Sequence, residues 1–437
     1  MSTVMRVGIA GLGTVGASVI RLLRRQAEAL TARTGRQIEV VAVSARDRGL
    51  DRRIDLEGLE WFSDPIALAE SANIDLFVEL IGGDDGPARA SVEAALKRGK
   101  GVVTANKALL AKHGMALAAL AEANKAPLAF EASVAGGIPI VKTLREGLAG
   151  NRIERVYGIL NGTCNYILSN MEQEGLSFDE CLKEAQRLGY AEADPTFDIG
   201  GFDTAHKLSI LTSLAFGTQV DAEAIHVEGI QSITLADLKS AEELGYRIKL
   251  LGVAQRTVGG IEQRVHPTMV PLSSAIAQVM GVTNAVTVDA DAVKELTLVG
   301  PGAGGEATAS AVVADIADVA KGIRSTPFGL PVTTLTKPGR PEIAEHEGGY
   351  YVRLSVQDRP GAAAAIATRL AERQISLESI MQKAAGSARS TGKPGNPVPV
   401  VLITYATTEA LIREALDAAV GDGYIAGTPQ VIRIERE

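Results

Sequence analysis

The stretch VMRVGIAGLGTVGASVIRLLRRQAEAL, residues 4–30, decides the fold of the first part of the chain. Residues 4–10 have the apolar composition of a short buried parallel strand, and apolar side chains recur at helical spacing from residue 17 onward. The three glycines of GLGTVG between them permit, in order, a tight turn, close approach of the backbone to a pyrophosphate, and close helix packing. A strand, this motif and a helix together predict a dinucleotide-binding turn, although a glycine-rich turn without a ligand has the same pattern. The expected cofactor contacts here are Gly11, Gly13, Thr14, Val15 and Gly16.

The end of the second predicted strand bears on which nicotinamide cofactor would bind. The strand IEVVAVS, residues 38–44, is followed by Ala45 and Arg46, where NAD-preferring proteins commonly carry an acid for the ribose hydroxyl. Because arginine suits a 2′-phosphate, the sequence favours NADP(H) over NAD(H) and predicts that Arg46 contacts it. Asp47 leaves NAD(H) open, and a solvated loop is the alternative explanation for the arginines.

Further strand and helix units extend the pattern. They are the strands at 75–83, 101–104 and 126–132 and the helix at 87–97. Their alternation predicts an α/β fold with a Rossmann-type doubly wound parallel sheet over residues 1–130. Thr104 and Lys107 stand at the carboxyl edge of this sheet, where such folds bind ligands, so we expect both to contact the cofactor. Lys107 could equally cap its strand without a ligand.

Composition limits the classes of function. The chain has 437 residues, of which 46% are hydrophobic and 22% charged, and its net charge is −8. An acidic globular chain of this size predicts two or three domains and argues against nucleic acid or an anionic membrane as partner. No apolar run reaches the length of a membrane span. The only two cysteines, Cys164 and Cys181, predict a reducing, cytoplasmic location.

The segment GYAEADPTFDIGGFDTAHK, residues 189–207, predicts a polar pocket. Its first part is expected to be a polar loop, and from about Phe202 the pattern becomes helical, which places Asp203 and Lys207 on one face. A solvated ion pair is the simpler explanation. However, the apolar residues that follow cover the helix all round, which indicates burial, and a buried lysine has a pKa closer to neutrality and can exchange a proton.

Two loops offer further candidate ligands. Glu131 precedes the Gly-Gly-x-Pro loop at 136–139, and its carboxylate with bare carbonyls could hold a hard cation. Residues 161–163, Asn-Gly-Thr, are predicted to form a turn at a strand end that binds a polar substrate or the nicotinamide amide, with an ordinary turn as the alternative. Cys164 next to them could be a thiol nucleophile, but a buried small apolar side chain is the simpler interpretation.

The remainder of the chain predicts two more units. Residues 131–304 alternate strands and helices as an α+β substrate and dimerisation domain, and the glycine loop at 299–305 leads into a helix at about 305–322 that returns to the first domain. Residues 323–348, rich in proline and glycine, form the predicted linker. Residues 349–437 have the order βαββαβ of a ferredoxin-like fold, with a polar loop at 386–396, and carry no catalytic cluster.

The motifs GLGTVG, TANK, EASVAGGIP, NGTCNY, GYAEADPTFDIGGFDTAHK and VGPGAGG, in this order over residues 4–322, resemble those of homoserine dehydrogenases. The acidic loop with its Asp-Thr-Ala-His-Lys is the specific part. The tail, with the turn Asp358-Arg359-Pro360-Gly361, resembles an ACT regulatory domain. The resemblance implies NAD(P)-dependent interconversion of L-aspartate 4-semialdehyde and L-homoserine in threonine, methionine and isoleucine biosynthesis, with feedback by an amino acid, expected to be threonine.

The resemblance also implies roles for particular residues. Lys207 would move the proton at the carbinol oxygen, Asp203 would hold the substrate, and Lys107 would contact cofactor and substrate. The implied substrate-binding residues are Thr163, Tyr190, Glu192, Asp198 and Asp203, and Gly189, Gly302 and Gly304 would complete the cofactor site. Glu131, with backbone groups of Val134, Gly136 and Ile138, would hold a monovalent cation, expected to be Na⁺. His206 receives no role, and a homodimer or homotetramer is expected.

Two other functions stay open from the sequence. An aspartate-semialdehyde-type dehydrogenase would use Cys164 as acyl acceptor, and it would need a general base beside that thiol. A cofactor-binding sensor would bind NADPH tightly without turning over homoserine.

Overall fold

In the computed structural model, which describes residues 4–339, 343–382 and 397–435, the first six strands form one parallel sheet. Its strand order is β3-β2-β1-β4-β5-β6, and every neighbouring pair is parallel. The strands are β1 (Val4–Ala10), β2 (Gln37–Ser44), β3 (Glu60–Phe62), β4 (Leu76–Glu79), β5 (Gly101–Thr104) and β6 (Leu128–Ala129). The helices between them are α1 (Thr14–Arg25), α2 (Ala27–Thr34), α3 (Pro65–Glu70), α4 (Pro87–Lys97) and α5 (Lys107–Ala123). The predicted doubly wound sheet is confirmed.

The second sheet is mixed and has eleven strands. Its first strands are β7 (Ile153–Ile159), β8 (His226–Val227), β9 (Tyr246–Thr257), β10 (Gly260–Pro271), β11 (Thr283–Ala290) and β12 (Lys294–Pro301). The helices of this region are α6 (Ile140–Lys142), α7 (Gly162–Glu174), α8 (Phe178–Arg187), α9 (Thr196–Ile199), α10 (Phe202–Phe216), α11 (Leu235–Glu243) and α12 (Gly305–Lys321). Helix α10 packs on β7, β9 and β10, and its residues Leu208, Ile210 and Leu211 are buried.

The C-terminal unit has the predicted βαββαβ order. It consists of β13 (Glu347–Gln357), α13 (Ala362–Glu372), β14 (Leu377–Gln382), β15 (Pro397–Thr404), the short β16 (Thr407–Thr408), α14 (Glu409–Gly421) and β17 (Gln430–Ile434). Its strands lie in the order β17-β13-β15-β14, as in a ferredoxin-like fold. The polar loop predicted at 386–396 lies outside the described residues.

The C-terminal strands continue the second sheet. Strand β17 pairs in parallel with β10, with Thr268 opposite Arg433 and Met269 opposite Ile434, so the path runs from β12 at one end to β14 at the other. The sequence did not indicate this pairing. One sheet therefore connects the central region with the C-terminal unit.

Helix α12 returns to the first sheet, as expected. It packs against α1, and Val312 and Ile316 share a core with Val19 of α1 and Val7 of β1. The predicted domain boundaries stay predictions. None of the described helices has the length and apolar character that crossing a membrane requires.

Several local predictions were wrong, and the strand expected at 75–83 is only Leu76–Glu79. Residues 299–301, assigned to a glycine loop, belong to strand β12, because Pro301 pairs with Thr283 at the sheet edge. The strand expected at 126–132 is only Leu128–Ala129 and passes at once into a 3₁₀ turn, Glu131–Ser133. The acidic loop contains the short helix α9, which Pro195 can precede because proline suits a helix start.

Candidate active site

Lys107, Asp203 and Lys207 form a cluster of ion pairs between the domain of the first sheet and helix α10. Lys207 donates from Nζ to Asp203 Oδ2 at 2.7 Å and to the Leu160 carbonyl at 2.6 Å. Lys107 Nζ lies 2.6 Å from the other oxygen, Asp203 Oδ1. The Asp203 side chain is 3% exposed and that of Lys207 12%, whereas Lys107 is 36% exposed. The cluster therefore has a closed side and an open side.

Backbone geometry explains why these three side chains meet. Helix α5 begins at Lys107, directly after β5, so this lysine stands at the carboxyl edge of the parallel sheet. Helix α10 begins after Gly201, whose φ of 88° is a left-handed conformation that suits glycine. Asp203 and Lys207 are one turn apart on α10 and share its face. Contact between α5 and α10 then brings the first lysine to the pair.

The charges of the cluster shift one another's pKa values. Burial disfavours the ionised carboxylate of Asp203, but the positive charges of Lys207 and Lys107 outweigh burial and hold its pKa well below the ordinary range. Burial lowers the pKa of Lys207, and Asp203 only partly opposes this. For the more open Lys107, the negative charge of Asp203 outweighs burial and raises the pKa. Lys207 is thus the lysine that more readily gives up its proton.

Asn161, which the sequence indicated only as part of a ligand-binding turn, is a member of the cluster because it bridges two of its carboxylates. Its Nδ2 donates to Asp198 Oδ1 and to Asp203 Oδ2, both at 2.8 Å, and its Oδ1 accepts the Cys164 N–H as the cap of α7. The motif Asn-Gly-Thr was predicted to be a turn, and that was wrong, because Gly162 starts a helix of 13 residues. Asparagine is a preferred residue at the N-cap of a helix, so the sequence did contain a helix-start signal at this position.

The other predicted substrate residues surround this cluster to different degrees. Asp198 is half-buried, and burial together with the charge of Asp203 raises its pKa. The Thr163 hydroxyl donates to the Tyr190 carbonyl at 2.6 Å. Glu192 is exposed, yet its charge helps to raise the pKa of Lys107. Gly189 adopts a φ of 76° in an exposed turn.

The glycine-rich turn faces an open cleft of about 940 Å³. A Cβ on Gly11 would lie 2.2 Å from the Leu80 carbonyl oxygen, and one on Gly16 would lie 2.0 Å from the Gly11 carbonyl oxygen, so both glycines are needed for packing. A Cβ on Gly13 would meet nothing within 4 Å. Gly13 caps α1 without a side-chain hydrogen bond, so the helix N-terminus is left for an anion. The turn fits a dinucleotide, and Thr14 and Val15 begin the helix there.

The arginines after β2 line the same cleft. Arg46 is exposed beside Ser44 and Asp47 at the cleft wall. Arg52 donates to the Leu12 carbonyl at 3.1 Å, and its guanidinium lies 5.8 Å from the centre of the Trp61 ring. This wall is therefore positively charged and partly ordered by an aromatic ring.

Thr104 is placed differently from expectation, because its hydroxyl points into the protein. It donates to Glu79 Oε2 at 2.6 Å, and Glu79 Oε1 accepts the Ile81 and Gly82 N–H groups. Glu79 is fully buried at the end of β4 and was not singled out from the sequence. Asn106, beside Lys107, donates to the carbonyl of Gly83, a residue that lines the cleft.

The loop before α12 reaches the first glycine turn. A Cβ on Gly305 would lie 2.7 Å from Ser18 Oγ of α1, and a Cβ on Gly136 would lie 2.4 Å from the Gly302 carbonyl oxygen. Gly304 has a φ of 111° and open space around it. Gly305, next to Gly304, therefore lies against α1, whereas Gly302 lies against Asn284, and a cofactor contact of Gly302 and Gly304 stays a prediction.

Glu131 lies in a buried acidic site. Its two carboxylate oxygens accept the Val141 and Lys142 N–H groups, each at 2.8 Å, and Asp315 accepts the Glu131 N–H. Burial, together with the nearby Asp315, raises the pKa of Glu131 to about 7. Val134 is buried in the adjoining loop, which also contains Gly136 and Ile138. The charges of Glu131 and Asp315 are balanced only by Lys142, which also binds Asp318, and no cluster of three or more metal-ligating side chains occurs among the described residues.

The geometry does not favour a nucleophilic Cys164. This residue is fully buried, and its Sγ donates to the Asp198 carbonyl at 3.3 Å. Burial, reinforced by the charges of Asp198 and Asp203, raises the thiol pKa well above its ordinary value. Such a thiol is a packing residue.

A small cavity of about 130 Å³ lies in the C-terminal unit. It is enclosed by α13, the strands β14 and β15, and the turn after β13. Gln357, Asp358 and Arg359 of that turn contribute its polar wall, and Ile366, Val400 and Leu402 contribute apolar walls.

A dinucleotide-type parallel sheet, with a buried lysine and aspartate cluster at its carboxyl edge, defines an oxidoreductase that uses a nicotinamide cofactor. Family models agree: one described as "Homoserine dehydrogenase, NAD binding domain" matches residues 11–131, "Homoserine dehydrogenase" matches 139–317, and "ACT domain" matches 350–420. The chain is 45% identical over 440 residues to a homoserine dehydrogenase of Pseudomonas aeruginosa, covering 99% of each. It therefore belongs to the homoserine dehydrogenase family and carries a C-terminal ACT domain.

Solved structures give the same relationship. The crystal structure of a homoserine dehydrogenase from Thiobacillus denitrificans matches with a TM-score of 0.92 at 44% identity, over 100% of this chain and 99% of that one. A hyperthermophilic archaeal homoserine dehydrogenase in complex with NADPH matches with a TM-score of 0.63 at 27% identity, over 74% of this chain and 99% of that one.

Proposed function

We propose that this protein interconverts L-aspartate 4-semialdehyde and L-homoserine with NADP(H), as a step toward threonine, methionine and isoleucine. The observation that carries the proposal is the contact of Asp203 with both Lys107 and Lys207 at the carboxyl edge of the cofactor-type sheet. A nicotinamide cofactor, when bound, supplies or accepts the hydride. The chain's own groups would bind the substrate and move one proton.

Lys207 would serve as the proton donor and acceptor. In the reducing direction its ammonium would give a proton to the aldehyde oxygen, and in the oxidising direction its amine would take the proton from the alcohol. The Leu160 carbonyl and Asp203 fix its nitrogen, and burial lowers its pKa, which makes the ammonium a better proton donor.

The acidic residues around Lys207 would recognise the amino group of the substrate. Asp203 and Asp198 are bridged by Asn161, and Glu192 reaches the open side near Lys107. The carboxylates of the half-buried Asp198 and the exposed Glu192, together with the ammonium groups of the two lysines, suit a zwitterionic amino acid. Thr163 and Tyr190, which are hydrogen-bonded to each other through the Tyr190 carbonyl, would complete the wall.

We infer a preference for NADP(H) from the charge of the cleft wall. Arg46 lies at the end of β2, and Arg52 stands beside Trp61. The archaeal relative named above was solved with NADPH, which supports this choice. Arginines recognise a terminal phosphate bidentately, whereas NAD(H) carries a hydroxyl at that place.

We infer that Glu131 and the carbonyls of the loop at 134–138 hold a monovalent cation, expected to be Na⁺. A cation would compensate the buried negative charge of Glu131 and Asp315, which Lys142 offsets only in part.

For the ACT domain we infer threonine as effector, bound at the turn of Asp358 and Arg359, whose charges match a zwitterion. Among the described residues, β12 and β14 are the outermost strands of the second sheet, and we infer a homodimer or homotetramer that forms at such an edge.

A spectrophotometric assay tests the reaction and the cofactor together. With homoserine and each cofactor in turn, we expect absorbance at the reduced nicotinamide band to rise, with kcat/KM higher for NADP⁺ than for NAD⁺. Arg46→Ala should narrow the difference in kcat/KM between the two cofactors, whereas Arg98→Ala, at an exposed residue directly after the C-terminal end of α4, should leave it unchanged. Absence of turnover with either cofactor, from protein that binds NADPH, would support a sensor instead. Retained turnover in Cys164→Ala would exclude the thiol mechanism.

A further inference from the structure

Arginines of the C-terminal strands bind both ends of one short segment of the central region. This piece, residues 228–237, runs from the end of β8 into the first turn of α11, and we call it the connector segment. At its start, Arg433 of β17 donates to Glu228 Oε1 at 2.9 Å and to Oε2 at 3.2 Å. At its end, Arg353 of β13 donates to Asp237 Oδ1 at 2.6 Å and to Oδ2 at 3.1 Å. Both contacts are forked, so each fixes orientation as well as distance.

Each contact has one buried partner and is supported by neighbours, whereas Arg353 and Glu228 are 25% and 31% exposed. The Asp237 side chain is fully buried, and the Tyr351 hydroxyl also donates to it, at 3.0 Å. The Arg433 side chain is 3% exposed and also binds Glu409 of α14 at 2.7 Å. Forked ion pairs with one buried partner hold their side chains more rigidly than fully exposed pairs do. The ends of the connector segment are thus fixed by the ACT domain.

The first residues of the connector segment, together with Val227 just before it, pack against the acidic loop of the active site. The Ile230 N–H donates to the Ile199 carbonyl at 3.0 Å. A Cβ on Gly229 would lie 2.4 Å from that same carbonyl oxygen, and a Cβ on Gly201 would lie 3.1 Å from a methyl group of Val227. Because there is no space between these backbones, a shift of one displaces the other.

The residues of the acidic loop that the connector segment contacts lie next to the ion cluster. Ile199 follows Asp198, whose side chain is bridged through Asn161 to Asp203. Gly201 is the cap from which α10 begins, so its position sets where Asp203 and Lys207 project. A continuous set of contacts therefore leads from two arginines of the ACT domain to the candidate substrate site.

We propose that Arg353 and Arg433 are positioning residues of the substrate site, which hold the acidic loop through the connector segment and convey the state of the ACT domain to substrate affinity. This rests on the proposed function, in which residues 189–207 bind the substrate. A purely structural role would change the binding of substrate and cofactor alike, whereas this proposal predicts a change in substrate affinity alone. Contiguity alone does not establish coupling, so the test measures the effect at the loop itself.

The first test compares two arginines of the same domain in the full-length protein. Arg353→Met breaks the forked contact with Asp237, whereas Arg369→Met breaks a forked contact with Asp422 that lies within the ACT domain. We expect Arg353→Met to raise the KM for homoserine by about 3- to 10-fold, with the KM for the cofactor unchanged. Arg369→Met should change neither constant. Equal changes in both constants, or equal effects of both variants, would overturn the proposal.

The second test does not depend on turnover. Amide hydrogen exchange followed by mass spectrometry should become faster over residues 196–203 in Arg353→Met and not in Arg369→Met. Glu228→Gln, which keeps the shape of the other contact but removes its charge, should act in the same direction and replaces Arg353→Met if that variant does not fold. Unchanged exchange at 196–203 in the folded variants would overturn the proposal. Faster exchange without any homoserine turnover in the parent protein would instead refute the proposed function and keep the connection.

Discussion

Asp203 is the residue on which the proposed chemistry depends most. Each of its oxygens accepts from a different lysine, and one oxygen also accepts from Asn161. With burial opposed by two positive charges, its carboxylate stays ionised at any physiological pH. The cluster is therefore ordered before substrate binds, which avoids the entropic cost of assembling it during the reaction.

At this scale the first prediction concerns Lys207. Lys207→Met keeps the length of the side chain but removes the transferable proton, so kcat should fall by a factor of about 10² or more. The KM for NADPH should stay within about twofold, because the lysine is assigned to the substrate and not to the nucleotide. Steady-state kinetics measure both constants, with the exposed Lys97→Met of α4 as control. Normal turnover with weakened NADPH binding would contradict the assignment.

The second residue-scale prediction concerns Glu131 and pH. Its pKa in the folded protein, about 7, lies above the ordinary value of 4.5. Between these values the folded state holds a proton that the unfolded state releases, so stability falls as pH rises from about 4.5 to 7. A bound cation lowers the folded-state pKa, so melting temperatures should fall less steeply with pH in NaCl than in choline chloride.

Two matched variants test whether the difference between NaCl and choline chloride arises at Glu131. Glu131→Gln should remove most of the difference between the two salts, because the amide cannot ionise. Glu93→Gln, on the surface of α4, should preserve the difference. The same pH slope in both salts for the parent protein would argue against a cation at this place.

At the scale of single elements, the first turn makes a prediction about its glycines. Gly16→Ala forces a Cβ against the Gly11 carbonyl oxygen and should destabilise the protein by about 1–3 kcal/mol. Gly13→Ala adds its methyl group to open space, so the melting temperature should change little. The same methyl group would stand where a pyrophosphate approaches, and the KM for the cofactor should rise by about 10-fold or more. A Gly13→Ala protein with unaltered cofactor KM would place the nucleotide elsewhere.

Elements whose signal is local were predictable from the sequence, and elements defined by distant partners were not. The strand at 4–10 and the helix at 87–97 have the bounds that their patterns indicated, because apolar period and a flanking glycine or proline decide both. Strand β12 was missed because it lies at a sheet edge, where exposure removes the apolar alternation that identifies strands.

The candidate site divides in the same way. The pair of Asp203 and Lys207 was expected because four residues separate them on one helix. The contact with Lys107 depends on how two units pack, and the bridge of Asn161 depends on how α7 and α10 meet, and periodicity carries no information about either. The pairing of β10 with β17 could not be predicted either, because strands so far apart in sequence show no common register signal.

At the scale of the whole molecule, the ACT domain and the active site share one sheet, which makes a prediction about linkage. If threonine binds the ACT domain and weakens homoserine binding by some factor, homoserine must weaken threonine binding by the same factor. Titration calorimetry of threonine, with and without saturating homoserine and the oxidised cofactor, should give that ratio, of about 5- to 150-fold. No threonine binding to the full-length protein would remove the effector assignment.

The parallel pairing of β10 with β17 also has a consequence for how the chain is made. Strand β17 lies about 160 residues downstream of β10, so translation needs roughly 10 to 30 seconds to deliver it. During that interval the nascent polypeptide presents an unpaired strand edge, together with Arg264, which later meets Glu435. Ribosome-associated chaperones are thus expected to engage this protein over that window, and slower codons between the two strands would prolong its exposure to aggregation.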